Sequence, residues 1–202
     1  MEARSYTGKR KLIFLVLFLA AAGLAALQLW QRYQRQFPAL PDLGTVPAFS
    51  LATEDRRTFT QRDFLQKVTI ADFVFTTCAG PCPIMSAQMQ HLQGELGGNP
   101  QLQLVSFSVD PETDTPKVLA EYASRFGAIK GKWMFLTGSK ETIYEVTRNG
   151  FHLAIDDDEN AIAHSTKFVL VDKEAKIRGY YDSEDQESLK KLIEDAKRLM
   201  HD

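Results

Sequence analysis

A chain of 202 residues, 44% hydrophobic and 25% charged, has room for one ordinary globular domain plus an appendage, and that composition excludes a disordered protein. The net charge of −2 is unevenly spread: residues 1–36 hold six Lys/Arg and one acid, leaving 18 bases against 25 acids elsewhere. A domain of that sign has no electrostatic ground for binding nucleic acid.

Residues 12–30, from Leu12 to Trp30, contain no charge and one polar side chain, Gln28. As a helix they would cover roughly 28 Å, near the ~30 Å hydrocarbon core of a bilayer. Trp30 and Tyr33 stand where interfacial aromatics belong, and Arg4, Lys9, Arg10 and Lys11 precede the run. The expectation is a single transmembrane anchor over 12–30 with residues 1–11 in the cytoplasm and the remainder outside it. A cleaved signal peptide is the alternative, since Ala20 to Ala22 are small, but the apolar run continues to Leu29. Residues 31–45, polar and carrying Pro38 and Pro41, read as a tether to a domain over 46–202.

In that domain Pro47–Leu51 reads as a short edge strand with a polar turn after it. Val68–Phe75 reads as a central strand covered on both faces. A helix is predicted from Pro81 to Leu96, closed by Gly97 and Gly98. A strand follows over 101–109, then a helix capped by Asp114 or Thr115 with Pro116 in its first turn, reaching about Phe126. Trp133–Leu136 reads as a strand, and a helix starts at Ser139. Residues 167–172 and 175–181 form an antiparallel hairpin. Ser183 and Gln186 have capping-box spacing for a last amphipathic helix whose stripe includes Leu189, Leu192, Ile193 and Leu199. The order implies an α/β, thioredoxin-like fold: a central mixed sheet flanked by helices, behind an N-terminal transmembrane helix.

The topology places three loops on one rim of the sheet. Cys78 follows the C-terminal end of one parallel strand, Asp110 follows its neighbour, and His164 precedes an antiparallel strand that starts at the same edge. The only two cysteines, Cys78 and Cys82, are spaced C-x3-C at a helix start, so both sulfurs can face one point, and the positive helix end favours thiolates. Two thiolates and an imidazole form a soft set suited to one Cu(I), or to Cu(II) with an added oxygen ligand; zinc with water is a further possibility. A structural disulfide would close only a small ring and stabilise little. The pair could instead be a redox couple, in an extracytoplasmic thiol–disulfide oxidoreductase or a redox sensor. Other candidates are weaker. His152 lies near an acidic run, His91 is roughly 13 Å along the helix from Cys82, and His201 is terminal. Residues Asp156–Glu159 lack the spacing of a calcium loop. Asp110 could orient the site or simply begin a turn.

At FVFTTCAGPCP (Phe73–Pro83), SVDPETDTP (Ser108–Pro116), WMFLTG (Trp133–Gly138) and HSTKFVLVD (His164–Asp172) the chain resembles the Sco/SenC family over roughly residues 40–200. The family's T-x-C-P-D-x-C-P differs at the interior, which here is Ala79-Gly80-Pro81. The resemblance implies copper bound by Cys78, Cys82 and His164. It implies a metallochaperone that serves the dinuclear copper site of cytochrome c oxidase subunit II, by delivering copper, by reducing the target's cysteines, or both, with a possible thiol–disulfide reductant as a second partner. It also implies an anchor in the inner membrane and a periplasmic domain. A reductase reading would make the chain an enzyme; a chaperone reading would not.

Overall fold

The computed structural model describes residues 4–36, 39–153 and 165–201, with the side chains of its first helix described at Lys11 and 13–29. The chain divides into two units, Met1–Leu40 and Pro41–Asp202.

The first unit is one helix, α1 (Arg4–Gln36). Its large apolar side chains are exposed on every side, Ile13 at 58%, Phe14 at 70% and Leu29 at 68% among them. A helix apolar all round has no polar face to give to water. The described apolar side chains run from Ile13 to Leu29, about 26 Å of helix, and Leu12 and Trp30 at the ends of the expected span lie outside them. Among the described residues no helix is long and apolar enough to cross a membrane.

The second unit is a seven-stranded mixed sheet in the order β2-β1-β5-β4-β3-β6-β7. The strands are β1 (Ser50–Thr53), β2 (Thr58–Thr60), β3 (Val68–Val74), β4 (Leu102–Ser108), β5 (Trp133–Thr137), β6 (Lys167–Val171) and β7 (Ile177–Asp182). β3, β4 and β5 are parallel, joined through helices α2 (Pro81–Leu96) and α3 (Pro116–Arg125). β6 is antiparallel to β3 and β7 to β6. This is the thioredoxin-like arrangement expected, and β3 is buried along its whole length.

Alternating residues of the central strands send side chains to opposite faces. On one face Phe73 and Phe107 stack at 5.0 Å, and Phe49, Phe59, Phe64 and Phe151 close around them. Each buried phenylalanine contributes about 2–3 kcal/mol of transfer free energy. Ile143 and Val146, from α4 (Lys140–Glu145) and the turn after it, join this cluster. On the other face lie Ile70, Asp72, Val74, Leu104, Ser106, Trp133 and Phe135, under α2, α3 and α5 (Gln186–His201).

Several local details differ from the sequence reading. The first strand lies at Ser50–Thr53 and is not the edge; it pairs with β5 and with the edge strand β2 through a tight hairpin. The three residues of β2 are too few to show a period. After α4 the backbone continues as one π-helical turn, Val146–Gly150. An added Cβ at Gly150 would sit 2.6 Å from Pro47 Cγ, so glycine is required where the turn meets that ring. The last helix is capped by Asp185, whose carboxylate accepts from Glu187 N and Ser188 N, while Ser183 is buried with its N–H bonded to Thr166 O. Leu43 N donates to Ile177 O and Thr45 bridges Lys176, so residues within the expected tether lie along the hairpin.

Candidate metal and thiol site

β3 and β4 run in register to their ends, with Val74 opposite Ser108, so the loops that follow them leave one rim together. Phe75-Thr76-Thr77-Cys78-Ala79-Gly80 leads from β3 into α2. Gly80 is the N-cap and makes no side-chain cap, and prolines occupy positions 81 and 83 of the first turn. Proline lacks an N–H, so this helix start has fewer donors to offer an anion than most.

Both cysteines are free and buried, Cys78 at 7% exposure and Cys82 at 3%. They pack together with Val74, Phe75 and Val109. Gly80 N–H donates to Cys78 Sγ at 3.4 Å. Burial pushes the Cys82 thiol up to about 12; the neighbouring Cys78 adds to the rise, a Phe75 backbone group opposes it, and the charge of Asp72 raises it further. The sequence reading had the helix end favouring thiolates. At Cys82 burial outweighs that field, and the resting group is a thiol. A soft metal or a disulfide partner would have to displace its proton.

Asp114 fixes the loop around this pair. Its side chain is wholly buried and accepts from Thr76 N at 3.1 Å, from the Thr76 hydroxyl, and from Ser108 Oγ at 2.7 Å. Burial raises its carboxyl above the ordinary value and these donors pull it back. Sequence reasoning offered Asp114 only as an alternative helix cap. The cap is Thr115, which accepts from Val118 N, and this frees Asp114 to staple the β4–α3 loop to the cysteine loop. The clue was the doubled cap, Asp114-Thr115, before Pro116. Asp110 shapes the same turn: its carbonyl accepts from Thr113 N and Asp114 N, and its own N–H donates to Ser108 Oγ.

His164, the third expected donor, lies outside the described residues, as does the Asp156–Glu159 run. β6, whose start His164 precedes by three positions, begins at the rim where β3 ends. Among the described residues no three His, Cys, Asp or Glu side chains gather as a metal site. His91 is an exposed residue of α2, 3.6 Å from Glu95. His152 holds a left-handed backbone and its Nε2 sits against Gly44, near the start of β7 and at the opposite end of the sheet from Cys78. His201 ends α5. None of these three histidines is brought to the cysteines.

The SCO1/SenC family profile matches residues 40–201. A SCO1 protein homolog of Bacillus subtilis is 32% identical over 156 residues, which is 75% of this chain and 81% of that one. Among solved structures, BsSco, described as a member of the Sco family of cytochrome c oxidase assembly proteins with a disulfide switch, superimposes with a TM-score of 0.71 at 30% identity, covering 80% of this chain and 97% of that one. Arabidopsis thaliana ScoI with copper bound gives 0.60 at 26% identity, covering 77% and 99%.

Proposed function

Since this chain belongs to the SCO1/SenC family, we propose that it is a membrane-anchored metallochaperone that takes one copper ion as cargo on Cys78, Cys82 and His164. It delivers that ion to the dinuclear copper site of cytochrome c oxidase subunit II, or reduces the cysteines of that site. The observation that carries this reading is the pair of free, adjacent, buried thiols on the rim beside the start of β6. Two sulfurs of that kind suit Cu(I) as soft ligands.

In this reading the chain's own residues act before and after the cargo. Asp114 and Thr76 hold the loop so that both sulfurs stay together. Apolar Val74, Phe75 and Val109 keep water from them. Both thiols release protons as the ion arrives and regain them when it leaves. A disulfide between Cys78 and Cys82 blocks loading, so an external thiol reductant is the second partner. The exposed apolar α1 supports an inner-membrane anchor over residues 12–30, and the basic residues before it support a cytoplasmic N-terminus and a periplasmic domain. Anaerobic titration of Cu(I) into the reduced chain gives one equivalent bound tightly, lost in the Cys78→Ser, His164→Ala double variant; equal binding by that variant refutes the assignment.

A thiol–disulfide oxidoreductase is the second reading, favoured by two free cysteines packed side by side, of which Cys78 is slightly the less buried residue. Turnover of a disulfide substrate at rates typical of dedicated reductases, without copper, would select it.

A further inference from the structure

Away from the thiols, one pair of residues on the aromatic face carries chemistry of its own. The chain has three asparagines, and their successors differ: Asn99 precedes Pro100, Asn160 precedes Ala161 and Asn149 precedes Gly150. The amide nitrogen that follows an asparagine can attack the side-chain carboxamide. Proline has no N–H to give up in that step, and a side chain on the successor crowds the approach, whereas glycine leaves it open. Asn149 is exposed and Gly150 is buried. Gly150 has no room for a side chain, because an added Cβ would lie 2.6 Å from Pro47 Cγ and 2.7 Å from Pro47 Cδ. Packing against Pro47 therefore keeps the least hindered of all successors beside Asn149.

The closed fold holds the pair unreactive. Both residues belong to the π-helical turn Val146–Gly150. Around it the Thr147 hydroxyl donates to Ile143 O at 2.7 Å, Phe151 N–H to Val146 O at 2.8 Å and Leu153 N–H to Thr147 O at 3.1 Å. A helical backbone keeps ψ of Asn149 in a narrow well, and closing a five-membered ring onto its carboxamide requires ψ to leave that well. Just beyond the turn Phe151 and Leu153 are sealed in the core, with the Phe151 ring 5.3 Å from both Phe73 and Phe107. Gly150 N is therefore freed only when these bonds are given up. A wide turn at the end of a short helix is among the less costly places for a fold to open locally.

We infer that Asn149–Gly150 is a fold-gated deamidation site, silent while the π turn is closed and reactive when it opens. Gly150 N then bonds to Asn149 Cγ. The bond from Cγ to the side-chain nitrogen breaks, and that nitrogen leaves as ammonia with the proton from Gly150. Water opens the resulting succinimide at one carbonyl or the other, leaving isoaspartate or aspartate, and nothing is oxidised or reduced. Isoaspartate lengthens the backbone by one methylene. The turn already presses on Pro47 and has no space for it, so a chain that has reacted cannot close the turn as before. The change marks each chain whose turn has opened, and refolding does not reverse it.

The reduced full chain in detergent is held in mildly alkaline buffer with and without denaturing urea. Timed samples are cut with chymotrypsin. The peptide 145–151, in which Asn149 is the only asparagine, is resolved into its Asn, Asp and isoAsp forms by chromatography and mass spectrometry. In urea the peptide converts, with isoaspartate as the main product. The folded chain converts at least about tenfold more slowly, equivalent to an opening cost of about 1.4 kcal/mol. Pro47→Ala removes the ring pressed on the turn and quickens the folded rate by at least about threefold, equivalent to about 0.65 kcal/mol off that cost. No conversion in urea overturns the site. A smaller ratio between the unfolded and folded rates overturns the gate, as does a folded Pro47→Ala chain no faster than wild type. Should Pro47→Ala lose its circular dichroism spectrum, the wild-type ratio decides alone.

Discussion

Replacing Asp114 by alanine tests whether the cysteine loop is held by one buried carboxylate. The substitution removes the acceptor of the Thr76 N–H, the Thr76 hydroxyl and the Ser108 hydroxyl. An enclosed donor left without a partner costs about 1–3 kcal/mol. Ser108 is fully buried and bears that cost, whereas Thr76 is half-exposed and water can repair part of its loss. Relief of the buried charge offsets some of the remainder, since burial already raises the Asp114 carboxyl. A net loss of about 2–3 kcal/mol follows. At about 2–4 °C per kcal/mol for a domain of this size, the melting midpoint of the reduced chain falls by about 5–10 °C. Because the staple joins the loop that carries Cys78 to the β4–α3 turn, alkylation of Cys78 should also quicken. Calorimetry and timed iodoacetamide labelling read the two effects. A midpoint shift below 1 °C with unchanged labelling refutes the staple.

Asp72 sets a pH dependence with a defined sign. Its folded value of about 7 stands above the ordinary 3.8, so the fold holds a proton that the unfolded chain releases, and its contribution to stability declines as pH rises from about 4 to 7. Urea midpoints of wild type and Asp72→Asn should separate across that window, with the Asn chain the more stable at pH 8; parallel curves would contradict a buried, titrating carboxylate. Gly150→Ala drives a methyl into the Pro47 ring and should cost about 1–3 kcal/mol, read as a lower chemical midpoint; an unchanged midpoint would mean the π turn yields freely. Removing residues 1–36 should move the chain from the membrane pellet to the supernatant after carbonate washing; if the full chain is itself released by carbonate, α1 is no anchor.

Periodicity and punctuation carried the central fold. The apolar run at Val68–Val74, the glycines after Leu96 and the Thr115-Pro116 pair are local signals, and α2 begins and ends at Pro81 and Leu96 as read. What escaped was decided by tertiary contact. Asp114 looks like any cap until the β3 and β4 loops meet. The π turn depends on where Pro47 packs. Asp72 reads as one polar interruption in a strand, and only the sheet register and the helices above show it completely enclosed. The C-x3-C spacing made the pair of sulfurs legible. Their protonation was not, because the field of a helix end is a local property and desolvation is a global one.

The prolines at the head of α2 bear on the resting state of Cys82. With those two positions unable to donate, the helix start holds out fewer backbone hydrogens to a bare sulfur anion there. Whatever attacks or binds that sulfur meets S–H first, so its capture should slow in acid and quicken in alkali.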